Sequence, residues 1–231
     1  MIVSRYYARF GGHGTPVRRG PTLNTSTSTS WLREFRKSSQ MYNEDSKSEK
    51  IGPSYYSLFP QTLKSGPPPN GPFAVDVRKL RSEFLKLQSR THPDLARTDA
   101  DKSQYESASS QLNKAYSTLA SPLSRALYLL ESVGMGVEED AARKMPQDPE
   151  LLMEVYELLE EIENCQSEGE AADLSSSIET RINMTEKEVE ESFDTHDLAR
   201  AKNSTITLKY WVNIRDALKE WEPGKPFRMV H

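Results

Sequence analysis

Hydrophobic residues recur every three or four positions between about Val75 and Thr91, and this spacing predicts an amphipathic helix. The apolar positions are Val77, Leu80, Phe84 and Leu87. Asp76 precedes them, and its carboxylate suits a helix N-cap. Pro93 ends the helix, because a proline disfavours the α conformation of the residue before it, here His92.

A second apolar stripe follows from about Asp101 to Ala120. Its members are Tyr105, Ala108, Leu112, Ala115, Tyr116 and Leu119. The two stripes predict an antiparallel pair of helices joined by a tight corner at His92-Pro93-Asp94. Pro122 then opens a shorter apolar helix that ends at Gly134.

The C-terminal part of the chain predicts three more helices. Asp148-Pro149 reads as an N-cap followed by a proline in the first turn. The helical segments cover roughly residues 149–166, 169–198 and 199–222, and no strand pattern stands out among them. Three such helices can bury one another as a small bundle, so the predicted fold class is all-α.

The first of these three helices carries more apolar surface than its own stripe requires. The stripe consists of Leu151, Val155, Leu158 and Ile162, and beside it lie Leu152, Met153, Tyr156 and Leu159. A helix that is apolar beyond one stripe is either deeply buried or carries a binding face. The surplus therefore predicts a binding face for a partner, with packing against the N-terminal helices as the alternative.

Residues 1–33 contain no Asp or Glu, whereas they contain five arginines and many Ser and Thr residues. This composition is typical of an organellar transit peptide. The alternative is a disordered basic tail that carries no address. The mature protein is expected to begin near residues 35–50.

The predicted organisation follows from these segments. Residues 1–40 are expected to be an organellar transit peptide, whose composition does not separate mitochondrion from plastid, with 41–53 a linker and 54–134 a helical domain with a proline-rich insertion at 65–72. Residues 135–147 are a connector, 148–223 form a three-helix domain and 224–231 a tail.

Charge is distributed unevenly although the net charge is only −4. Lys79, Lys86 and Arg90 share one face of the first helix, with Arg78 and Arg81 nearby. Residues 150–191 hold fourteen acidic residues against two basic ones. The chain therefore has a basic end and an acidic end, which predicts two different partners, although charged helix faces are often only solvated surface.

Several classes of function lack the residues that they need. A single cysteine, Cys165, cannot form an intrachain disulfide, ligate an iron–sulfur cluster or build a cysteine zinc site. Glu160 and Glu161 are adjacent on a helix and diverge, and the sequence contains no glycine-rich phosphate loop and no Ser/His/Asp set. We therefore expect no enzyme activity, no cofactor and no metal. No nucleic acid is expected as a partner, and no membrane, because the apolar runs are too short to span one.

Six motifs together resemble the HscB family, the J-type co-chaperones of iron–sulfur cluster assembly, over about residues 54–222. They are Tyr55-Tyr56-Ser57-Leu58-Phe59, the run from Phe84 to Asp94, the run from Leu112 to Leu119, Pro122-Leu123-Ser124-Arg125-Ala126-Leu127-Tyr128-Leu129-Leu130, Leu151-Leu152-Met153-Glu154, and the run from Leu208 to Ile214. The His-Pro-Asp tripeptide alone is a weak signal, and the surrounding helices make it specific. The resemblance implies an L-shaped molecule with an N-terminal J domain and a C-terminal three-helix bundle.

The resemblance also implies two partners. His92, Pro93 and Asp94, with Lys79, Lys86 and Arg90, would contact a mitochondrial heat-shock ATPase of the seventy-kilodalton class and stimulate its ATP hydrolysis. Leu152, Met153, Tyr156, Glu157, Glu160 and Tyr210 would bind the iron–sulfur cluster scaffold protein. Two departures from the family are Leu95, where many J domains carry Lys or Arg, and Asn164, where the family has an acidic residue.

The expected function is that of a co-chaperone in the mitochondrial matrix, which delivers the scaffold to the heat-shock ATPase and promotes cluster transfer to acceptor proteins. Another J-protein function, with a different organellar client in general protein folding, is the alternative. Both differ from an enzyme, which would act without an added chaperone, and from a cluster carrier, which would absorb visible light.

Overall fold

The computed structural model describes residues 54–92, 94, 98–137 and 148–221. Within these ranges the chain forms a short 3-10 helix and six α-helices, and no strand. The helices are α1 Val77–Thr91, α2 Asp99–Ala120, α3 Pro122–Ser132, α4 Pro149–Asn164, α5 Glu168–Asp194 and α6 Leu198–Lys219, and the 3-10 helix is Tyr55–Leu58. The prediction of an all-α fold is confirmed.

The N-terminal half is built on the α1–α2 hairpin. Asp76 caps α1 as predicted, because its carboxylate accepts hydrogen bonds from the backbone N–H groups of Arg78 and Lys79, both at 3.1 Å. The 3-10 helix packs against α2, and Leu80 and Leu112 lie in the core between these elements with no exposed surface. Val77 is a predicted core residue, yet 43% of its surface is exposed at the first position of α1.

Helix α3 ends as the sequence predicts, at a glycine. Gly134 has φ of +73°, and its N–H donates to the carbonyl of Glu131 while the N–H of Met135 donates to the carbonyl of Leu130. This pair of bonds is a Schellman motif, which needs the left-handed conformation that glycine adopts most easily.

The C-terminal half is an α5–α6 hairpin with α4 packed on α5. The tight turn between α5 and α6 is also a Schellman motif, in which His196 takes the left-handed position with φ of 59°. The N–H of His196 donates to the carbonyl of Phe193, and the N–H of Asp197 donates to that of Ser192. Asp197 then caps α6 by accepting from the backbone N–H of Arg200 at 3.0 Å.

Both halves contribute to one hydrophobic core. Helix α3 packs against α6 and α5, so the side chains of Ala126 and Leu130 belong to the same buried cluster as those of Leu208 and Trp211. Three segments lie outside the described residues. They are 1–53, with the expected transit peptide and linker, 138–147 of the expected connector, and 222–231, with the expected tail.

Candidate functional site

The corner after α1 places His92 and Asp94 in solvent. The side chains of His92 and Asp94 are 54% and 87% exposed. The backbone N–H of Asp94 donates to Nδ1 of His92 at 3.3 Å. The Oδ2 atom of Asp94 lies 3.4 Å from the same nitrogen, so the two side chains of the corner adjoin each other. Pro93 and Leu95 lie outside the described residues.

All the basic residues that the sequence places on α1 are exposed. They are Arg78, Lys79, Arg81, Lys86 and Arg90. Lys79 forms an ion pair with Asp76 at 3.2 Å. Hydrogen bonds from the backbone and side chain of Lys79 are the main cause that lowers the pKa of Asp76. Part of the Lys79 charge is therefore neutralised within the helix itself.

The register of α1 separates the basic residues into two groups. His92 has φ of −65°, a helical value, so its Cβ continues the helical register although its ψ of 132° ends the helix. Counting at 3.6 residues per turn, Arg81 and Leu85 lie within about 20° of His92 around the axis, and Arg78 within about 40°. Lys79, Lys86 and Arg90 share one face as predicted, but that face lies about 120–160° away from His92.

The row of α1 that is in line with His92 was not predicted as a group of site residues. We define the Arg81 row as Arg78, Arg81 and Leu85; Leu85 is 56% exposed, which is high for a leucine. The signal was available in the spacing, because Arg81, Leu85 and His92 are separated by four and seven positions and share one helix face.

Two of the four surplus apolar residues of α4 are exposed, whereas Leu159 is half-buried and packs against the core. Met153 and Tyr156 are 62% and 54% exposed, whereas Leu152 is half-buried. We call these three residues the α4 patch. Val155, Leu158 and Ile162 form the buried side of the same helix. Glu157 and Glu160 are exposed and adjoin the α4 patch along the helix.

Tyr210 is buried rather than exposed. The residue is only 3% exposed on α6, and burial raises the pKa of its hydroxyl. In the free chain its ring therefore offers almost no surface to a partner, in contrast to Met153 and Tyr156.

An open groove of about 720 Å³ lies between α4 and α5, next to the α4 patch. Glu157, Glu160 and Asn164 line it from α4, and Glu170 and Asp173 line it from α5. The two α5 residues were not predicted as part of the site, because nothing in the spacing shows which face of α5 meets α4. The groove extends the acidic surface that the sequence predicts for this end of the chain.

Arg181 of α5 holds α4 in place. Its Nε donates to Glu154 Oε1 at 2.6 Å, and its guanidinium carbon lies 5.8 Å from the ring centre of Trp211 on α6. One side chain thus connects all three C-terminal helices. The α4 patch is consequently presented by a helix whose position is fixed at the level of Glu154.

The described part of the chain contains no group of three or more His, Cys, Asp or Glu residues placed to hold a metal ion. None of its helices combines the length and the apolar character that crossing a membrane requires.

A helical hairpin with His-Pro-Asp at its corner, joined to a second helical unit, defines the class of J-type co-chaperones. A family model described as the HSCB C-terminal oligomerisation domain matches residues 147–219. The mitochondrial J-type co-chaperone Jac1 of Saccharomyces cerevisiae is 33% identical over 181 residues, which cover 77% of this chain and 94% of that protein. The chain belongs to the HscB/Jac1 family of J-type co-chaperones.

Other relatives agree with this assignment. The human iron–sulfur cluster co-chaperone protein HscB is 32% identical over 152 residues, 65% of this chain and 64% of that protein. The solved structure of yeast Jac1 matches with a TM-score of 0.60 and 30% identity, covering 74% of this chain and 98% of that one. The crystal structure of human HscB matches with a TM-score of 0.63 and 28% identity, covering 75% and 82% respectively.

Proposed function

We propose that this chain is a co-chaperone of iron–sulfur cluster assembly with two working ends. One end stimulates ATP hydrolysis by a mitochondrial heat-shock ATPase of the seventy-kilodalton class, and the other delivers the iron–sulfur scaffold protein to it, so that clusters pass to acceptor proteins. The observation that supports this proposal is the exposed apolar patch at Met153 and Tyr156. It occurs in a chain whose relatives include a protein named an iron–sulfur cluster co-chaperone. The chain itself performs no catalysis in this proposal.

The chaperone-contacting end consists of His92, Pro93 and Asp94 with the basic residues of α1. The exposed cations would attract an acidic surface of the ATPase and speed the encounter. The register of α1 supports the Arg81 row as the part of this surface that lies beside His92, with Lys79, Lys86 and Arg90 contributing at longer range. Contacts that favour the hydrolysis-competent state over the resting state would shift the ATPase towards cleavage.

The scaffold-contacting end consists of the α4 patch together with Glu157 and Glu160. The exposed apolar side chains of Met153 and Tyr156 would supply most of the binding free energy, because aromatic anchors and adaptable methionines dominate such interfaces. The acidic groove beside them would select a scaffold surface that carries Lys or Arg. Tyr210, being buried, would support the patch from within the core.

We place the protein in the mitochondrial matrix. Relatives such as yeast Jac1 carry the word mitochondrial in their names, and the acid-free composition of residues 1–33 suits a transit peptide. The domain boundaries at 54–134 and 148–223, with a proline-rich insertion at 65–72, remain part of this proposal.

The test is steady-state ATP hydrolysis by a mitochondrial heat-shock ATPase, with and without scaffold. We expect the wild type to stimulate hydrolysis, more so when scaffold is present, and His92→Gln to give no stimulation. His196→Gln, at an exposed histidine in the α5–α6 turn, is the matched control and should behave as the wild type. Equal stimulation by His92→Gln and the wild type would refute the chaperone-contacting role.

Capture of purified scaffold, combined with the ATPase assay, distinguishes a different client. Purified wild type should capture the scaffold, whereas the double variant Leu152→Ala with Tyr156→Ala should not. A double variant that binds scaffold normally would show that the α4 patch is not the scaffold site. A wild type that captures no scaffold but stimulates the ATPase would favour a J protein with another organellar client.

A further inference from the structure

A polar pair of side chains lies inside the largely apolar interface between α1 and α2. Nε2 of Gln88 on α1 donates to Oγ of Ser109 on α2 at 2.9 Å. Ser109 is only 8% exposed. The same two helices also meet through apolar contacts, such as the stack of Phe84 on Tyr116, whose ring centres lie 4.3 Å apart. The pair therefore adds a directional contact to packing that has no preferred direction.

This pair does not serve stability well. The Oε1 atom of Gln88 is buried and has no hydrogen-bond partner among the described residues. Turning the amide over would only place its nitrogen in the same position. A buried polar atom without a partner destabilises the folded chain, whereas replacing both members of a pair with apolar groups of similar shape is close to neutral or stabilising. Stability alone therefore does not explain the presence of the pair.

The pair lies one helical turn before the His-Pro-Asp corner. Gln88 precedes His92 by four residues, which is about 6 Å along the axis of α1. Thr91 has no exposed surface, and its hydroxyl donates to the carbonyl of Leu87 at 3.2 Å. One side of the last turn of α1 is thus buried as far as Thr91, and His92 is the first exposed residue beyond it.

The position of α1 on α2 determines the path of the corner. Residues 92–98 are a short connection between Thr91, at the end of α1, and Asp99, at the start of α2. If one helix slides or rotates on the other, the two ends of this connection move, and the geometry in which His92 and Asp94 meet a partner changes. Apolar packing permits such shifts, whereas a buried polar residue selects one register, as it does in coiled coils.

We propose that Gln88 and Ser109 are positioning residues, which hold α1 and α2 in the register that gives the His-Pro-Asp corner its productive geometry. The polar atoms of the pair lie between the two helices, so the pair acts through the corner and not by contact with the ATPase. The inference rests on the proposed function, since it concerns how the corner stimulates the ATPase. It names residues outside the surface that binds.

The double variant Gln88→Met with Ser109→Ala tests this role, because it replaces both members of the pair with apolar residues of similar shape. Methionine keeps the unbranched, flexible shape of glutamine and lacks the amide. The matched control is Gln104→Met with Ser110→Ala, which makes the same two substitutions at exposed positions of α2. Thermal unfolding, scaffold affinity, and ATPase stimulation over a range of co-chaperone concentrations are measured with the full-length proteins.

We expect the melting temperature of the double variant to equal or exceed that of the wild type. Maximal stimulation of the ATPase should nevertheless fall by about two- to fivefold, which corresponds to about 0.4–1 kcal/mol, the scale of one hydrogen bond. The concentration that gives half-maximal stimulation should stay within about twofold, because the exposed cations of α1 that attract the ATPase are unchanged. Scaffold affinity should be unchanged, and the control should match the wild type in every measurement.

The corner itself is observed by nuclear magnetic resonance. The backbone N–H of Asp94 donates to Nδ1 of His92, so its signal reports on the geometry of the corner. This signal and that of the His92 N–H should shift or broaden in the double variant. The N–H signal of Tyr156, in the scaffold-contacting end, should stay in place.

Unchanged maximal stimulation by the double variant would overturn the inference. A lower melting temperature would also overturn it, because the pair would then serve the stability of the fold. Reduced stimulation with unchanged signals at the corner would have the same consequence. A wild type that does not stimulate the ATPase would instead overturn the proposed function, and this inference with it.

Discussion

Replacing Tyr156 with alanine should weaken scaffold binding strongly while leaving the chaperone-contacting end unaffected. Tyr156 is 54% exposed in the free chain, so about half of its surface remains available to a partner. Aromatic side chains bury about 150–250 Å² when fully covered, which leaves about 80–135 Å² for the interface. At about 25 cal/mol per Å² this area corresponds to about 2–3 kcal/mol. Association costs reduce the realised share, so we expect binding to weaken by about 10- to 100-fold.

The assay is isothermal titration calorimetry of purified scaffold into wild type, Tyr156→Ala and Leu85→Ala. Leu85 is 56% exposed, comparable to Tyr156, but lies on α1 in the N-terminal half. Leu85→Ala should retain wild-type affinity for scaffold and reduce ATPase stimulation, whereas Tyr156→Ala should do the opposite. Urea unfolding of each variant checks that it remains folded. The reasoning fails if Tyr156→Ala binds scaffold within about twofold of the wild type, a difference of under about 0.5 kcal/mol.

Three further changes have defined outcomes. Arg81→Glu should reduce ATPase stimulation more than Arg90→Glu, because Arg81 lies in line with His92. The difference should be smaller at high salt than at low salt. Equal losses of ATPase stimulation in the two variants would contradict the register of α1. Tyr56→Phe should raise the free energy of unfolding, measured by urea titration, by about 1 kcal/mol. The reason is that the buried hydroxyl of Tyr56 has no hydrogen-bond partner among the described residues. A lower free energy of unfolding would contradict this. His196→Gly should raise the melting temperature, with a gain of up to about 1 kcal/mol in the free energy of unfolding. The left-handed conformation of residue 196 is less favourable for a residue with a Cβ than for glycine. An unchanged or lower melting temperature would contradict the assignment of strain to His196.

The helices were predictable from local signals, and their ends were predictable to within a few residues. Asp76, Pro122 and Gly134 act at helix ends as the sequence indicates, because capping depends on residues that are close together in the chain. Helix α5 ends at Asp194 rather than near residue 198, because the left-handed His196 turns the chain, and no glycine marks that position.

Buried polar residues were not predictable from periodicity. Glu83 of α1 carries a carboxylate and yet is only 5% exposed. The burial is tolerated because this carboxylate accepts hydrogen bonds from the backbone N–H groups of Gln61 and Thr62 at 3.0 and 2.7 Å. Arg125 is buried for a similar reason, since its partners are carbonyls of distant segments. Predicting such burial requires knowing which loops contact which helices, and the local sequence pattern does not show this.

The candidate site residues also divide into those that local sequence patterns predict and those that they do not. Met153 and Tyr156 were predictable as an exposed patch, because three helices cannot bury every side of one member. The burial of Tyr210 was not predictable, because its position in the apolar run from Leu208 to Ile214 does not show how much of its ring is covered. The alignment of Arg81 with His92 required only counting along α1, so it lay within reach of the sequence.

The turn between α5 and α6 restricts which insertions the chain can accept. Phe193 and Asp194 close the last turn of α5 and also contact Phe73, His196 adopts the left-handed conformation, and Asp197 both ends one helix and begins the next. Four of the five positions from Phe193 to Asp197 thus each carry a separate geometric requirement. Lengthening this surface turn by even one residue would displace the contacts with Phe73 or uncap α6, so the length of this turn should vary less among relatives than that of ordinary exposed turns.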